Sequence, residues 1–183
     1  TILNGGTLSV TKLANGGSVS SIGTSSNAAS NLVFNGGTLE YTGSNSYFVQ
    51  FFQTPTVSID RNFTLAGNGG LSSSGNYGNN NLTTGAANNA ALVFSSTSTV
   101  SYSGTGARSL TLTGSSMGDN EIAMKLVDNG TGALTLNKSG TGLWLLTGAN
   151  TYTGTTNVTN GYLQAVDGVG LPSTSNLSLN GGY

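Results

Sequence analysis

The chain has 183 residues, of which Gly, Ser, Thr and Asn together make 102, while charged residues are 6% and Cys and His are absent. Without His or Cys there is no Ser-His-Asp triad, thiol nucleophile, imidazole base, disulfide, or thiolate or imidazole metal site. A formal net charge of −1 with five cations (Lys12, Arg61, Arg108, Lys125 and Lys138) leaves no basic footprint for a nucleic-acid backbone or an anionic membrane.

In chain order, the opening Thr1-Ile2-Leu3-Asn4-Gly5-Gly6 has no charged segment followed by an apolar stretch, so it does not read as a signal peptide. Short alternating runs follow: Val57-Ser58-Ile59, Phe63-Thr64-Leu65, Val100-Ser101-Tyr102, Leu110-Thr111-Leu112, Ile122 to Leu126, Leu134-Thr135-Leu136 and Leu177-Ser178-Leu179. Apolar residues at i and i+2 share one face of a strand, and Thr suits the outward positions through its β-branch. Gly or Asn interrupts nearly every window of ten residues, which excludes helices. The longest apolar run, Leu143 to Leu146, is far short of the roughly 20 residues a membrane-crossing helix needs. The composition predicts an all-β chain with no membrane insertion in this segment.

Asn-Gly dipeptides punctuate the strands at Asn4, Asn15, Asn35, Asn68, Asn129, Asn160 and Asn180. They favour sharp turns because glycine takes positive φ at no steric cost. Asn4, Gly5, Asn35, Gly36, Asn160, Gly161, Asn180 and Gly181 are therefore expected to be structural turn residues. Flanks recur too: Ile2 to Leu8, Val33 to Leu39 and Val158 to Leu163 resemble one another, and the chain ends in Leu179-Asn180-Gly181-Gly182-Tyr183. A chain that opens inside one copy and closes inside another reads as a single β-solenoid segment, 1–183, of a longer repetitive protein. Asn-Gly between strands would also suit hairpins in an antiparallel β-sandwich. Against the sandwich stands a period: Leu110, Leu134 and Val158 lie 24 residues apart. A constant spacing in the twenties fits stacked coils, about seven or eight over this length. Stacking accounts for the composition, since like charges repeated on every coil would repel whereas neutral Asn, Thr and Ser can hydrogen-bond to their copies.

The segment Leu136 to Ala165 contains Lys138-Ser139-Gly140-Thr141-Gly142, Gly148-Ala149-Asn150-Thr151-Tyr152-Thr153-Gly154 and Val158-Thr159-Asn160-Gly161-Tyr162-Leu163. It resembles the autotransporter-associated β-strand repeat, whose pattern is roughly L-x-K-x-G-x-G-x-x-x-L-x-G-x-N-x-Y-x-G-x-T-x-V-x-x-G-x-L. One departure is Tyr162, at a position where that family usually has Thr. Asp60 to Leu65 and Arg108 to Leu112 look like passenger segments less specifically, and Leu3 to Leu8 and Val33 to Leu39 look like the repeat's last third. The resemblance implies a right-handed parallel β-helix in a bacterial protein exported to the cell surface or secreted. It implies no catalytic residues and no cofactor.

Among the carboxylates Glu40, Asp60, Asp119, Glu121, Asp128 and Asp167, only Asp119 and Glu121 have the i, i+2 spacing of an acidic pair, with Asp128 and Arg108 about one coil away. A polar turn, Gly118-Asp119-Asn120-Glu121, leading into the strand Ile122 to Leu126 explains the same residues. The calcium-binding glycine repeat is missing, so no metal is expected. The densest apolar patch, Tyr47-Phe48-Val49-Gln50-Phe51-Phe52, makes Tyr47, Phe48, Phe51 and Phe52 candidate surface contacts for a glycan or a protein. Tyr77 joins them from Gly75 to Asn81, which reads as a loop leaving the coil. The reading is a non-catalytic stalk or adhesin segment, extracellular or on the bacterial cell surface. Its alternatives are a subunit of a filament that self-associates through its end coils, and a polysaccharide-binding or -cleaving β-helix.

Overall fold

A computed structural model describes residues 1–43, 56–75 and 90–183. Its strands form three parallel sheets; the chain visits all three in turn over its middle part and alternates between the second and third toward its C-terminal end. The first sheet takes β1 (Ile2–Leu3), β3 (Val33–Phe34), β6 (Thr64–Leu65) and β9 (Ser101–Tyr102). The second takes β2 (Thr7–Val10), β4 (Thr38–Tyr41), β7 (Gly69–Ser73), β10 (Arg108–Thr113), β12 (Leu134–Lys138), β14 (Thr156–Val158) and β16 (Leu177–Leu179). The third takes β5 (Val57–Ile59), β8 (Leu92–Phe94), β11 (Asn120–Ile122), β13 (Leu143–Leu146) and β15 (Tyr162–Ala165).

Every strand pairs in parallel with the equivalent strand of the next coil, so the molecule is a β-helix and not a sandwich. Among the described residues the one antiparallel bridge is a local turn, Asn129 to Gly132. The Asn-Gly turns do not close hairpins. Asn4-Gly5-Gly6 and Asn35-Gly36-Gly37 turn the chain from the first sheet to the second, whereas Asn160-Gly161 turns it from the second to the third. The resemblance between Val33–Leu39 and the end of the repeat is therefore one corner chemistry used at two different corners.

The period of 24 also fails. In the second sheet Thr7 pairs with Thr38, 31 residues on, and Leu110 with Leu136, 26 on. Lys138 pairs with Val158, only 20 residues on. Leu134 stacks on Arg108, not on Leu110. Parallel pairing constrains the register of strands and leaves the loops between them free to differ in length, so coil size need not be constant.

Inside, side chains stack in columns. The second sheet contributes Leu8, Leu39, Leu71, Leu112, Lys138, Val158 and Leu179, each paired with the next. The third contributes Ile59, Phe94, Ile122, Leu146 and Ala165. Phe63 lies edge-on between Phe34 and Phe94, with ring centroids 5.4 and 5.7 Å away. Offset edge-to-face contacts of this kind are favourable beyond the area they bury. Charged residues in the columns have uncharged neighbours: Glu40 lies between Ser9 and Ser72, and Glu121 between Val93 and Leu145. The expected ladders form where Asn157 donates to Asn137 Oδ1 at 2.9 Å and Asn35 to Asn4 Oδ1 at 3.0 Å.

Several polar side chains break the apolar interior, Asn120 and Arg61 among them. Asn120, fully buried, stands in line with Leu92 and Trp144; its Oδ1 accepts from Leu92 N at 2.9 Å and its Nδ2 donates to Leu143 O at 2.7 Å. It thus ties three successive coils. Arg61, 1% exposed, donates to Ala14 O, Ser25 O and Gly23 O, and Asp60 Oδ1 accepts from Gly16 N, so the 11–30 loop is fastened to the β5–β6 corner. Replacing Asn120 by Ala leaves buried main-chain groups on both neighbouring coils unpaired. Urea unfolding is expected to show a loss of about 3 kcal/mol, against about 0.5 kcal/mol for Asn157→Ala on the outward ladder.

Candidate functional site

The repeat segment 136–165 spans β12 to β15, and each marked position has a physical task. Leu136, Leu146 and Val158 fill the interior. Trp144, fully buried, donates from Nε1 to Thr113 O at 2.9 Å on the preceding coil. Asn150 repeats the device of Asn120: its Oδ1 accepts from Leu126 N at 2.7 Å and its Nδ2 donates to Gly170 O at 2.8 Å. Buried Tyr152 shares a hydrogen bond with Thr156 Oγ1 at 2.8 Å, and Thr156 with Ser175 Oγ at 3.1 Å.

The repeat's glycines answer to close approach more than to turning. A Cβ at Gly148 would lie 2.2 Å from Met124 O, and one at Gly154 2.2 Å from Leu134 O. Neither residue needs positive φ. Any side chain there would push the coils apart and break the pairing on both faces.

Lys138 is the least expected member. It stands fully buried in the second sheet's column between Leu112 and Val158. Its Nζ donates to Ser139 O at 2.7 Å, Gly140 O at 2.9 Å and Asn160 O at 3.0 Å. The first two carbonyls belong to its own corner and the third to the corner one coil on, so the ammonium locks two turns together. Burial of the amine pushes its pKa down to about 8.

The carboxylates are also engaged in the frame. Asp119 is exposed, whereas Glu121 Oε1 accepts from Thr147 Oγ1 on the next coil. The strand they were expected to precede begins earlier and ends sooner, as β11 at Asn120–Ile122, although inward alternation continues through Met124 and Leu126. Asp128 Oδ1 accepts from Leu134 N at 2.8 Å and Thr153 N at 3.0 Å, and Oδ2 from Thr153 Oγ1 at 2.7 Å. Partial burial pushes its pKa up, but these hydrogen bonds outweigh that and hold it below the usual carboxylate range. Arg108 caps its own corner, donating to Ser103 O and Thr105 O at 3.0 Å each. No group of three or more acidic side chains suited to a metal ion forms among the described residues.

The turn residues named from the sequence all lie between strands or just beyond one, and Gly5, Gly36, Gly161 and Gly181 all have positive φ. Tyr47, Phe48, Phe51, Phe52 and Tyr77 lie outside the described residues. Sequence reasoning did not single out Lys138, Asn120, Asn150 or Arg61 as site residues. The available signal was a polar residue in phase with inward apolar ones, as Lys138 is with Leu134 and Leu136, and Asn120 with Ile122.

Parallel coils, stacked columns and corners closed by buried polar side chains define a β-helical repeat protein. Residues 136–165 match the family model described as passenger-associated-transport-repeat. A relative, the adhesin BmaC autotransporter of Brucella suis biovar 1 (strain 1330), is 43% identical over 164 residues, which is 88% of this chain and 4% of that protein. No solved structure matches. Residues 136–165 thus carry a repeat of the passenger-associated-transport type, and the chain spans a small fraction of the length of the adhesin it resembles.

The ionisable groups imply a dome in stability at alkaline pH. Lys138 has a lowered pKa, so between about 8 and its unfolded value the unfolded chain binds the extra proton and stability rises with pH. Tyr41 and Tyr152 are held above the usual phenol range by burial. Tyr102 is raised by burial and by the charge of Asp128, which together outweigh Arg108. Above about pH 10 the unfolded chain therefore loses phenol protons that the native state keeps, and stability falls again. Urea midpoints measured across this range are expected to rise and then fall, and Lys138→Met is expected to abolish the rise while leaving the fall.

Proposed function

We propose that this chain is a structural, adhesive stretch of a passenger displayed outside the cell or on the bacterial surface, without catalysis. The observation that carries this reading is the coil 136–165. There Lys138 and Asn150 bond to neighbouring coils while Leu136, Leu146 and Val158 fill the interior, and the chain is similar to an autotransporter adhesin over 88% of its length. The carboxylates Asp128 and Glu121 accept hydrogen bonds from Leu134 N, Thr153 and Thr147, and Arg108 donates to main-chain carbonyls of its own corner. Partners are a glycan or a protein met by the outward face, not nucleic acid.

Two measurements test the reading. Antibody raised against the folded chain is expected to label intact cells of the source bacterium; labelling only after permeabilisation overturns surface display. In the complete passenger, exchange of this segment for unrelated β-helical coils of equal length is expected to lower adherence, and full retention would reduce its role to that of a spacer. On a polysaccharide panel the chain is expected to cleave nothing. Cleavage lost in Asp119→Asn combined with Glu121→Gln would instead establish an enzyme.

A further inference from the structure

Seven Asn-Gly dipeptides mark the corners, and the fold treats one of them differently from the rest. Asn-Gly is the dipeptide at which a chain modifies itself most readily, because glycine offers no side chain to hinder attack by its own nitrogen on the preceding amide. The reaction needs two freedoms: the glycine nitrogen must reach the side-chain carbonyl, and the side chain must not be held elsewhere.

In most of the seven, hydrogen bonds remove one freedom or both. At Asn15 the Oδ1 accepts from Asp60 N at 3.0 Å and Gly16 N donates to Asp60 Oδ1 at 2.8 Å. At Asn35 the Nδ2 is bonded to Asn4 Oδ1 at 3.0 Å and Gly36 N to Asn68 O at 2.6 Å. The same bond holds the side chain of Asn4. Asn68 Oδ1 accepts from Ser109 N at 2.9 Å, and Gly69 is buried in β7. Asn129 Nδ2 donates to Gly104 O and Gly106 O, each at 3.1 Å. Asn180 Nδ2 donates to Ser178 Oγ at 2.9 Å.

Asn160 is the exception. Its residue is exposed, and its Oδ1 accepts from Gly161 N, 2.8 Å away, which is the nitrogen that has to attack. Its Nδ2, the leaving group, donates to nothing among the described residues. The corner is clamped from behind by Lys138 Nζ on Asn160 O at 3.0 Å, so the two reacting groups are kept together and not averaged over many turn conformations.

We propose that Asn160-Gly161 is a self-modification site, at which the chain converts this asparagine to aspartate or isoaspartate without an enzyme. Gly161 N gives up its proton to solvent and forms a bond to Cγ of Asn160. The Cγ–Nδ2 bond breaks, and the nitrogen leaves as ammonia with a proton from water. The resulting five-membered imide is then opened by water, the one co-reactant. Opening at the main-chain carbonyl carbon gives isoaspartate, and opening at the side-chain carbonyl carbon gives aspartate. Both products carry a new carboxylate on the corner that Lys138 holds. Isoaspartate also inserts a main-chain methylene where a Cβ on Gly161 would already lie 2.4 Å from Gly140 O and 2.8 Å from Lys138 Nζ. A chain that stays outside the cell for long periods would carry this mark as a record of age.

The test is peptide mapping by mass spectrometry after prolonged incubation of the folded 183-residue chain at mildly alkaline pH. The mass gain of one dalton that accompanies loss of ammonia and uptake of water is expected at Asn160 about tenfold faster than at any of the other six dipeptides. In urea that preference is expected to vanish, because the selection resides in the fold. Asn160→Gln, which keeps the amide but would need a six-membered ring, is expected to remove the modification from this peptide while the circular dichroism spectrum stays unchanged. Equal rates at all seven positions in the folded chain, or a faster rate at any of the other six, overturn the proposal. So does a preference for Asn160 that persists in urea, since a local sequence effect would then explain it.

Discussion

In a sheet that runs across stacked coils, each main-chain N–H and C=O on a strand must find its partner on a neighbouring coil, about 4.8 Å away. That spacing is fixed by the hydrogen bond and cannot be stretched to suit a side chain. At a corner the backbone of one coil lies directly on the backbone of the next, and the closest approach leaves no room for a Cβ at Gly148 or Gly154. Along a face the same spacing brings each side chain onto its counterpart. The near absence of charge follows, because the few charged residues that do stack, such as Glu40 and Glu121, have neutral neighbours on both sides.

A narrow interior of this kind is short of polar surface, yet Lys138, Arg61, Asn120 and Asn150 lie within it or along its corners. Burying an amide or an ammonium is unfavourable unless its hydrogen bonds are made, and each of these groups makes several to main-chain atoms. All four reach other coils or the loop that replaces part of one. Aliphatic columns alone would permit a coil to slide by one pleat, whereas Asn120 meets its partners on both sides in only one register. The polar interior thus specifies alignment, and the aliphatic columns supply the burial.

This arrangement directs chemistry inward, to holding the stack. What remains available for recognition is the outward surface and the excursions between strands. Coils from β2 to β10 are longer than those from β10 to β16, because residues such as 11–30 leave the sheet path and return to it. A passenger can vary such excursions without disturbing the stack, since the pairing depends only on the strands at either end. The coil 136–165 has almost no spare residues and shows the repeat in its barest form.

Strand alternation, the exclusion of helices, the neutrality of stacked columns and the repeat at 136–165 were all legible in the amino-acid sequence, because they depend on local periodicity and residue type. The sequence likewise determined which chemistries are absent, since no fold can supply a missing thiol or imidazole. Only the tertiary structure decided the register. Leu110, Leu134 and Val158 are evenly spaced along the chain yet do not stack, because loop length is free while strand pairing is not. It also decided that one corner chemistry serves two different corners, that Lys138 is a buried clamp, and that of seven identical Asn-Gly pairs only Asn160 has its oxygen on the following nitrogen. Each of these depends on which backbone lies one coil away, and that neighbour is 20 or more residues distant in the chain.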